Sequence, residues 1–399
     1  MSISPKLSNS KRIYYMPSIK NTFGVYHNGQ AMTNNLVAFA TGISGSGRLN
    51  TLEKVAELDK RFHIIDIGTK MFEKSRALGI NIQESKILDM DPLALDYLRA
   101  ATFEDVLSDI KELGEEEAVA ISTHTCFRWK KHLTHAFNFY YLNRLAPDIY
   151  INIVDSIHYI YTKLQNNAAW RGRLSLKDLL VWRDEELFIT KMLAEYRRKP
   201  FYLFSPREDP EMLRRIIFDV ELARKTGRRP AKKAYLSYPI THVKGQEDVM
   251  RSKDEVKRRL KEAGIIVFDP IAVEDLEVVD LMAEAKKAGR DYIEVEVDGY
   301  TGRISIGDIL SALDDIKDQV VARDYQLIMQ SDMIVVFYPT STLSPGVLSE
   351  VNFGHTHNKD VYVIFPFGAV SPFLEYYTTR IFKSVDELLE YFRDEGIIS

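Results

Sequence analysis

The stretch NLVAFATGISGSGR, residues 35–48, decides the class of fold predicted for the first half of this sequence. It begins with an apolar run, which leads directly into a loop containing Gly42, Gly45 and Gly47. The charged segment TLEKVAELDKRF after the loop has the apolar spacing of an amphipathic helix. A strand, a glycine loop and a helix in this order are typical of a loop whose backbone N–H groups bind phosphate at a helix N-terminus.

The loop departs from the complete phosphate-binding pattern GxxxxGK[ST] at two positions. Arg48 stands where lysine is expected, and Leu49 stands where a hydroxyl that binds Mg²⁺ is expected. Arginine keeps the charge with a different shape and reach, whereas leucine cannot bind Mg²⁺. A glycine-rich turn without a ligand is therefore the alternative interpretation. The residues predicted to bind a nucleotide in this loop are Gly42, Ser44, Gly45, Ser46, Gly47 and Arg48.

Short apolar runs alternate with charged, helix-spaced segments through the whole chain, which predicts parallel sheets covered by helices. These runs cover residues 62–68, 118–124, 148–154, 200–205, 234–240, 264–270, 333–339 and 360–366. The length of 399 residues favours two domains at roughly 150 residues each. The predicted division is an arm over 1–34, a first domain over 35–207, a helix and linker over 208–232, and a second domain over 233–399. An acidic segment over 275–322 contains a predicted hairpin at YIEVEVDGYTGRISIGD.

Composition excludes several classes of protein. The chain has 53 lysines and arginines against 57 aspartates and glutamates, a net charge of −4, which argues against a nucleic-acid partner. No apolar run approaches the ~20 residues of a membrane helix, and residues 1–20 lack an apolar signal-peptide core. The single cysteine, Cys126, excludes an internal disulfide and a multi-cysteine zinc site. We expect a cytoplasmic protein without a bound metal, since the histidine pairs have no third ligand at suitable spacing.

The first half resembles the archaeal adenylate kinase family over roughly residues 35–205. The matching stretches are VAFATGISGSGR, FHIIDIGTKMFEKS, LDMDP, ISTHTC and LNRLAPDIYINIVD, in the order that the family shows. The resemblance implies a P-loop kinase fold and binding of ATP and Mg²⁺. Ser122 stands where the family usually has an acidic residue. Lys163, Arg171 and Arg173 fall in the region of the lid cations, although a solvated basic surface is the alternative for them.

The second half resembles the nucleoside 2-deoxyribosyltransferase superfamily, which includes the 2′-deoxynucleoside 5′-monophosphate N-hydrolases. The matching stretches are AYLSYPI, GIIVFDP, RDYQLIMQSDMIVV and SPGVLSEVNFG. The resemblance implies a Rossmann-like, flavodoxin-like domain, a homodimer, and a catalytic set without a cofactor. In that set Glu350 is the nucleophile, Asp324 is the general acid near the base, and Tyr235 positions the nucleophile. The plainer alternatives are a helix-capping Glu350, an Asp324 paired with Arg323, and a Tyr235 that belongs to the strand core.

The residue types also suit this chemistry without the resemblance. Cleavage of an N-glycosidic bond needs a carboxylate at the anomeric carbon and a proton for the departing base. Glu350 follows the turn SPGVLS in the first turn of a predicted helix, where the helix dipole favours its ionised form. The turn offers hydroxyls and backbone amides without a carboxylate, which predicts a 5′-phosphate bound by Ser344 and Gly346. Tyr238 replaces a family glycine, so that its ring either stacks on the base or fills the pocket, and Asp269 is a further predicted substrate contact.

The sequence thus predicts two three-layer α/β domains that act on a small-molecule nucleotide. The favoured activity is hydrolysis of a (deoxy)nucleoside 5′-monophosphate to a base and a sugar 5-phosphate by the second domain. One alternative is an active nucleoside monophosphate kinase whose second domain senses nucleotides. The others are a non-catalytic nucleotide-binding regulator and an enzyme that cleaves NAD or a related nucleotide.

Overall fold

The computed structural model describes residues 35–114, 116–240, 246–342, 344–368 and 370–398, and the predicted arm 1–34 lies outside them. Two parallel five-stranded sheets with flanking helices dominate this part of the chain, which confirms the predicted α/β fold class. None of the helices within the described ranges is both long and apolar enough to cross a bilayer.

The first sheet has the order β2-β3-β1-β6-β7. Its strands are β1 (Leu36–Thr41), β2 (Phe62–Asp66), β3 (Ala118–Ser122), β6 (Ile149–Ile153) and β7 (Phe201–Phe204). The helices that follow these strands or connect them are α1 (Arg48–Leu58), α2 (Ile67–Ala77), α3 (Pro92–Glu112), α4 (Phe139–Leu145), α5 (Ile157–Gln165) and α6 (Leu176–Arg197). Because β1 lies in the middle of the sheet and every one of its residues is buried, the loop after it is held on a rigid base.

A small antiparallel hairpin, β4 (Cys126–Trp129) and β5 (His132–His135), was not predicted from the sequence. Its turn is made by Lys130 and Lys131, with φ of 48° and 65°. Lysine is not a usual residue at left-handed turn positions, which favour glycine and asparagine. The segment therefore carries no local turn signal.

The second sheet has the order β9-β8-β12-β13-β14, which in chain order is 2-1-3-4-5, as in flavodoxin-like folds. Its strands are β8 (Lys233–Ser237), β9 (Ile266–Phe268), β12 (Met333–Phe337), β13 (Asp360–Ile364) and β14 (Arg380–Phe382). The remaining helices are α7 (Pro210–Thr226), α8 (Glu247–Glu262), α9 (Glu277–Lys287), α10 (Ile306–Ser311), α11 (Leu313–Met329), α12 (Pro345–Thr356), α13 (Pro372–Tyr376) and α14 (Val385–Asp394). Strand order reverses between β8 and β12, and ligands bind at such switch points beyond the carboxyl ends of the strands.

The predicted hairpin in the acidic segment is confirmed. Strands β10 (Tyr292–Val297) and β11 (Tyr300–Ser305) pair antiparallel around a turn at Asp298 and Gly299. Both turn residues have positive φ, 51° and 77°, as a tight two-residue hairpin turn requires. The hairpin packs on α5, so that this insertion in the second half of the chain covers part of the first half.

The two sheets share one continuous buried apolar cluster. Helix α7 connects them along the chain and contributes Leu213 and Ile217, which belong to the same cluster as Ala38 of β1 and Tyr235 of β8. The helix is well delimited, with Asp209 capping its start and Gly227 in the left-handed conformation at its end. Since each buried Leu or Ile side chain contributes about 1.5–3 kcal/mol, this shared core holds the halves together.

Candidate active site and phosphate-binding loop

Strand β8 presents two hydroxyl side chains to one carboxylate. The Tyr235 hydroxyl donates to Glu350 Oε1 at 3.0 Å, and the Ser237 hydroxyl donates to Glu350 Oε2 at 2.5 Å. Residues two apart on a strand lie on the same face, so that β8 aims both donors at the helix that carries the glutamate. Each carboxylate oxygen is thereby fixed in place by its own donor.

Glu350 lies at the switch point of the second sheet. It is carried by the second turn of α12, which begins at Pro345 after the loop that follows β12. The prediction of a first-turn position was wrong, because the stretch SPGVLS itself enters the helix at Pro345. The site thus lies where the carboxyl ends of β8 and β12 diverge, the usual ligand position in a sheet of this order. Sequence analysis assigned no role to Ser237, although its spacing of two from Tyr235 would have indicated that the two share a face.

Asp324 is the second carboxylate of this site and comes from the neighbouring helix α11. Its Oδ1 is buried and has no hydrogen-bond partner among the described residues. Arg323 Nε lies 3.7 Å away, but the Arg323 guanidinium also pairs with Asp275 at 3.1 Å. Burial raises the pKa of Asp324, and the charge of Arg323 partly opposes this rise.

Glu350 and Asp324 influence each other's ionisation. Burial is the main reason that the pKa of Glu350 is raised, and the nearby charge of Asp324 raises it further. The hydrogen bonds from Tyr235 and Ser237 act in the opposite direction, because they stabilise the carboxylate. Both pKa values are raised, that of Glu350 further than that of Asp324, so the resting pair holds one proton near neutral pH and that proton lies mainly on Glu350.

Tyr238 and Asp269 form a separate contact. The Tyr238 hydroxyl donates to Asp269 Oδ1 at 3.2 Å, and Lys253 and Lys257 pair with Asp269 Oδ2 at 3.0 and 3.2 Å. The Tyr238 ring packs with Ala234 and Leu236 in the core on the other face of β8. The structure therefore does not bring these two predicted substrate residues together with Glu350.

Ser344 and Gly346 stand at the entrance of α12. Ser344 is the N-cap residue, yet its side chain makes no hydrogen bond to the helix. Among the described residues, a side chain added at Gly346 would meet only Ser344 Oγ, at 3.7 Å. The unsatisfied N–H groups at the start of a helix and a free hydroxyl can together hold an anion.

The raised pKa of Glu350 predicts a measurable cost in stability. A carboxyl group with a raised folded-state pKa costs nothing below its unfolded pKa, near 4.3, and lowers stability progressively as the pH rises above it. Glu350→Gln removes this cost, so we expect the variant to melt at least about 2 °C above wild type at pH 8. The difference in melting temperature should vanish near pH 4. Calorimetry of both proteins between pH 4 and pH 8 measures it, and a difference that stays constant over this range would contradict the raised pKa of Glu350.

The glycine loop lies between β1 and α1, as the sequence predicts. Gly42, Gly45 and Gly47 have φ of 149°, 82° and 79°. A Cβ at Gly42 would lie 2.5 Å from the carbonyl oxygen of Ile153, so only glycine fits there. The Ser46 hydroxyl is buried beside the loop and has no hydrogen-bond partner within the described ranges.

Arg48 turns back toward its own loop. Its guanidinium donates to the Gly42 carbonyl at 2.6 Å and to Ser122 Oγ at 2.9 Å, and it lies 3.8 Å from Asp66. Ser122 in turn donates to Asp66 Oδ1 at 2.8 Å. Ser122 thus links Arg48 to the Asp66 carboxylate at the end of the neighbouring strand β2.

Glu186, which sequence analysis missed, ties α6 to the glycine loop. This fully buried carboxylate accepts from the backbone N–H groups of Gly42, Thr125 and Cys126 at 3.3, 2.8 and 2.9 Å. Burial raises the pKa of Glu186 in spite of these donors. No local pattern could have indicated this role, because about 60 residues separate Glu186 from its partners at Thr125 and Cys126.

Two cavities adjoin the glycine loop. The larger one, about 930 Å³, is lined by Gly45, Gly47 and charged side chains including Lys54 and Arg207. The smaller one, about 270 Å³, is mostly apolar. The lining of the smaller cavity includes Arg48, Asp66, Met71, Arg99, His124, Phe127 and Trp129. An apolar pocket with a few converging polar groups is the usual form of a small-molecule site.

The three predicted lid cations lie apart. Lys163 lines the larger cavity, where it pairs with Asp155 and Asp298 at 3.2 and 2.9 Å. Arg171 is exposed and donates to the Gln165 carbonyl at 2.9 Å. Arg173 lies over the Trp129 ring at 4.3 Å.

Comparison with known proteins gives limited matches. No protein-family model matches the chain. Among solved structures, shikimate kinase from Acinetobacter baumannii in complex with shikimate matches at 14% identity and a TM-score of 0.33, covering 49% of this chain and 98% of that one. An unliganded sugar kinase from a Janibacter species matches at 14% identity and a TM-score of 0.28, covering 47% and 97%. Both matches cover about half of this chain.

Proposed function

We propose that the second half of the chain hydrolyses the N-glycosidic bond of a (deoxy)nucleoside 5′-monophosphate. The observation that carries this proposal is the pair of hydroxyl donors, Tyr235 and Ser237, that hold the two oxygens of Glu350 at 3.0 and 2.5 Å. The second carboxyl group of the pair, Asp324, is the proton donor that the reaction needs when the proton shared with Glu350 lies on it.

The reaction proceeds in two displacements. In the reactive form the proton that the pair shares is on Asp324 and Glu350 is ionised. The Glu350 carboxylate attacks the anomeric carbon, the bond from that carbon to the base nitrogen breaks, and the Asp324 proton passes to the departing base. Water then attacks the same carbon and breaks the bond to Glu350, while Asp324 takes the water proton. The products are the free base and a sugar 5-phosphate, and both carboxyl groups return to their starting states. Tyr235 and Ser237 orient Glu350 throughout.

The phosphate is held at the start of α12 by the Ser344 hydroxyl and the backbone amide of Gly346. This assignment predicts the result of Ser344→Asp. A new carboxylate beside a phosphate dianion raises the KM for the monophosphate at least about tenfold, since like charges placed together are strongly unfavourable. Aspartate is a good N-cap, so the helix should remain intact.

The matched control is Ser344→Ala, which removes one neutral hydrogen bond and should raise KM by only about two- to tenfold. The corresponding nucleosides carry no phosphate, so Ser344→Asp should not weaken their turnover. Kinetics of base release with both substrate types test the assignment. An unchanged KM for the monophosphate in Ser344→Asp would show that the phosphate does not bind at this turn.

The first half of the chain is proposed to bind a nucleotide at its glycine loop. The positive φ angles of the three glycines and the two adjoining cavities support this role. The side chains at the loop do not form a Mg²⁺ site, because the Leu49 side chain has no oxygen and Asp66 is engaged by Arg48 and Ser122. We therefore propose binding without a phosphoryl-transfer step.

A kinase is the second candidate, because the apolar cavity beside the loop would suit a phosphate acceptor. Consumption of ATP with Mg²⁺ that survives Glu350→Gln would favour the kinase. Base release that depends on Glu350 would favour the hydrolase.

A further inference from the structure

The larger cavity beside the glycine loop is built by both halves of the chain. The glycine loop, α5 and the segment after β7 form most of it, and the tip of the β10–β11 hairpin closes one side with Asp298 and Tyr300. Three cations, Lys54, Lys163 and Arg207, face two carboxylates, Asp155 and Asp298.

The hairpin is seated firmly on α5, the helix that carries Lys163. A Cβ at Gly302 would lie 2.9 Å from the Thr162 side chain, so only glycine allows this close approach. The Asn166 side chain donates to the Thr301 carbonyl at 3.2 Å. Because these contacts fix the hairpin on α5, Asp298 at the hairpin tip is held at the edge of the cavity.

Lys163 forms ion pairs with two carboxylates, one buried and one exposed to solvent. Its ammonium group lies 3.2 Å from Asp155, whose side chain is 4% exposed, and 2.9 Å from Asp298, whose side chain is 67% exposed. Asp155 is fixed further by Arg207 at 3.4 Å and by the backbone N–H of Ser156. Asp298 has no other ion pair within the described ranges, so it is the partner that Lys163 can give up.

We propose that this cavity binds a polyphosphate group and that Asp298 occupies Lys163 in place of a ligand phosphate until the ligand displaces it. The excess of cations, the loop amides and a volume of about 930 Å³ suit a nucleoside polyphosphate or an inorganic polyphosphate. The proposal rests on the nucleotide-binding role of the first half and adds to it a competing contact from the second half. A ligand that takes Lys163 from Asp298 frees the hairpin tip.

The test is calorimetric binding of tripolyphosphate, ATP and AMP to the full chain at fixed ionic strength. Asp298→Asn removes the competing charge, and asparagine tolerates the positive φ of the turn. We expect it to bind tripolyphosphate and ATP about two- to fivefold more tightly than wild type, the range that an exposed ion pair supplies. Lys163→Gln should weaken both by at least about tenfold, as loss of a charge-assisted contact does. AMP should show neither change.

Glu294→Gln is the matched control. It lies on the same hairpin, pairs with Arg303 at 3.0 Å and changes the net charge by the same amount as Asp298→Asn. We expect it to bind like wild type. A tighter affinity of Glu294→Gln equal to that of Asp298→Asn would overturn the proposal, because a general charge effect would explain both.

The remaining outcomes distinguish a failure of the exchange at Lys163 from a failure of nucleotide binding by the first half of the chain. Binding of ATP much more tightly than tripolyphosphate supports it with a nucleotide as ligand, and equal binding supports it with the polyphosphate group alone. If Asp298→Asn binds tripolyphosphate and ATP with wild-type affinity, the exchange at Lys163 is wrong, but the nucleotide-binding role of the first half is not contradicted. No binding of any probe by any of the proteins overturns both, while base release by the second half is measured independently.

Discussion

Glu350→Gln is expected to lower base release from nucleoside 5′-monophosphates by roughly 10³-fold or more, since removal of a group that bonds to the reacting carbon removes the covalent route. Glutamine has nearly the same shape as glutamate, and its amide can still meet the hydroxyls of Tyr235 and Ser237. The loss should therefore appear in kcat with little change in KM. Steady-state kinetics by chromatography of the free base measure both constants.

The matched control is Glu375→Gln, an exposed acid on α13 to which the mechanism assigns no role. It should release base at the wild-type rate. The higher melting temperature expected for Glu350→Gln at pH 8 shows that any loss of activity is not a loss of folding. If Glu350→Gln kept more than a tenth of the wild-type rate, Glu350 would not be the nucleophile.

Asp275→Asn is expected to lower the free energy of unfolding by roughly 3–5 kcal/mol, the usual cost of breaking a buried ion-pair cluster from one side. Asp275 is fully buried and contacts Arg183 at 2.7 Å, Arg323 at 3.1 Å and the backbone N–H of Ile157 at 2.8 Å. Arg183 belongs to α6 and Arg323 to α11, so the carboxylate joins the two halves of the chain. The variant leaves two buried guanidinium groups without a full counter-charge. Chemical unfolding at neutral pH measures the difference.

The control for this variant is Asp315→Asn. Asp315 and Lys177 form an ion pair of 2.9 Å between the same two helices, but the Lys177 side chain is 53% exposed and the Asp315 side chain 30% exposed. Such a pair contributes about 1 kcal/mol at most, so this variant should unfold close to wild type. Equal effects of the two substitutions would contradict the structural role of Asp275.

The effect of Asp275→Asn should also depend on pH. Burial alone would raise the pKa of Asp275, but Arg183 and Arg323 overcome it and hold the pKa well below its usual range. A lowered folded-state pKa stabilises the protein above the unfolded pKa, near 3.9, and the contribution is lost as the pH falls below it. The gap between wild type and variant should therefore narrow below pH 4.

Local pattern was sufficient for nine of the ten strands in the two five-stranded sheets and for the hairpin at residues 292–305, but it missed the three-residue strand β14. Apolar runs of four to six residues between charged helices specify buried parallel strands, and Asp298-Gly299 is a strong hairpin signal. The β4–β5 hairpin escaped prediction because Lys130 and Lys131 adopt positive φ without the residue types that favour it. Its conformation is set by packing rather than by its own sequence.

The residues of the candidate sites also fall into those that a local pattern predicts and those that it does not. Tyr235, Asp324 and Glu350 could be selected from short motifs, and strand alternation would have added Ser237 to their face and placed Tyr238 on the other. Contacts between distant segments could not be predicted. Glu186 reaches the glycine loop from α6, Asp275 pairs with Arg183 across 92 residues, and Asp298 reaches Lys163 from the second half. These contacts depend on how the two sheets pack, which no local period encodes.

The most direct test of the central claim is the release of free base from a panel of ribo- and deoxyribonucleoside 5′-monophosphates, with wild type and Glu350→Gln assayed side by side by chromatography. We predict that wild type converts at least one of them to equal amounts of free base and sugar 5-phosphate, and that Glu350→Gln does not. Absence of base from every monophosphate with wild type, or equal release by both proteins, would contradict the assignment of an N-glycosidic hydrolase to this site.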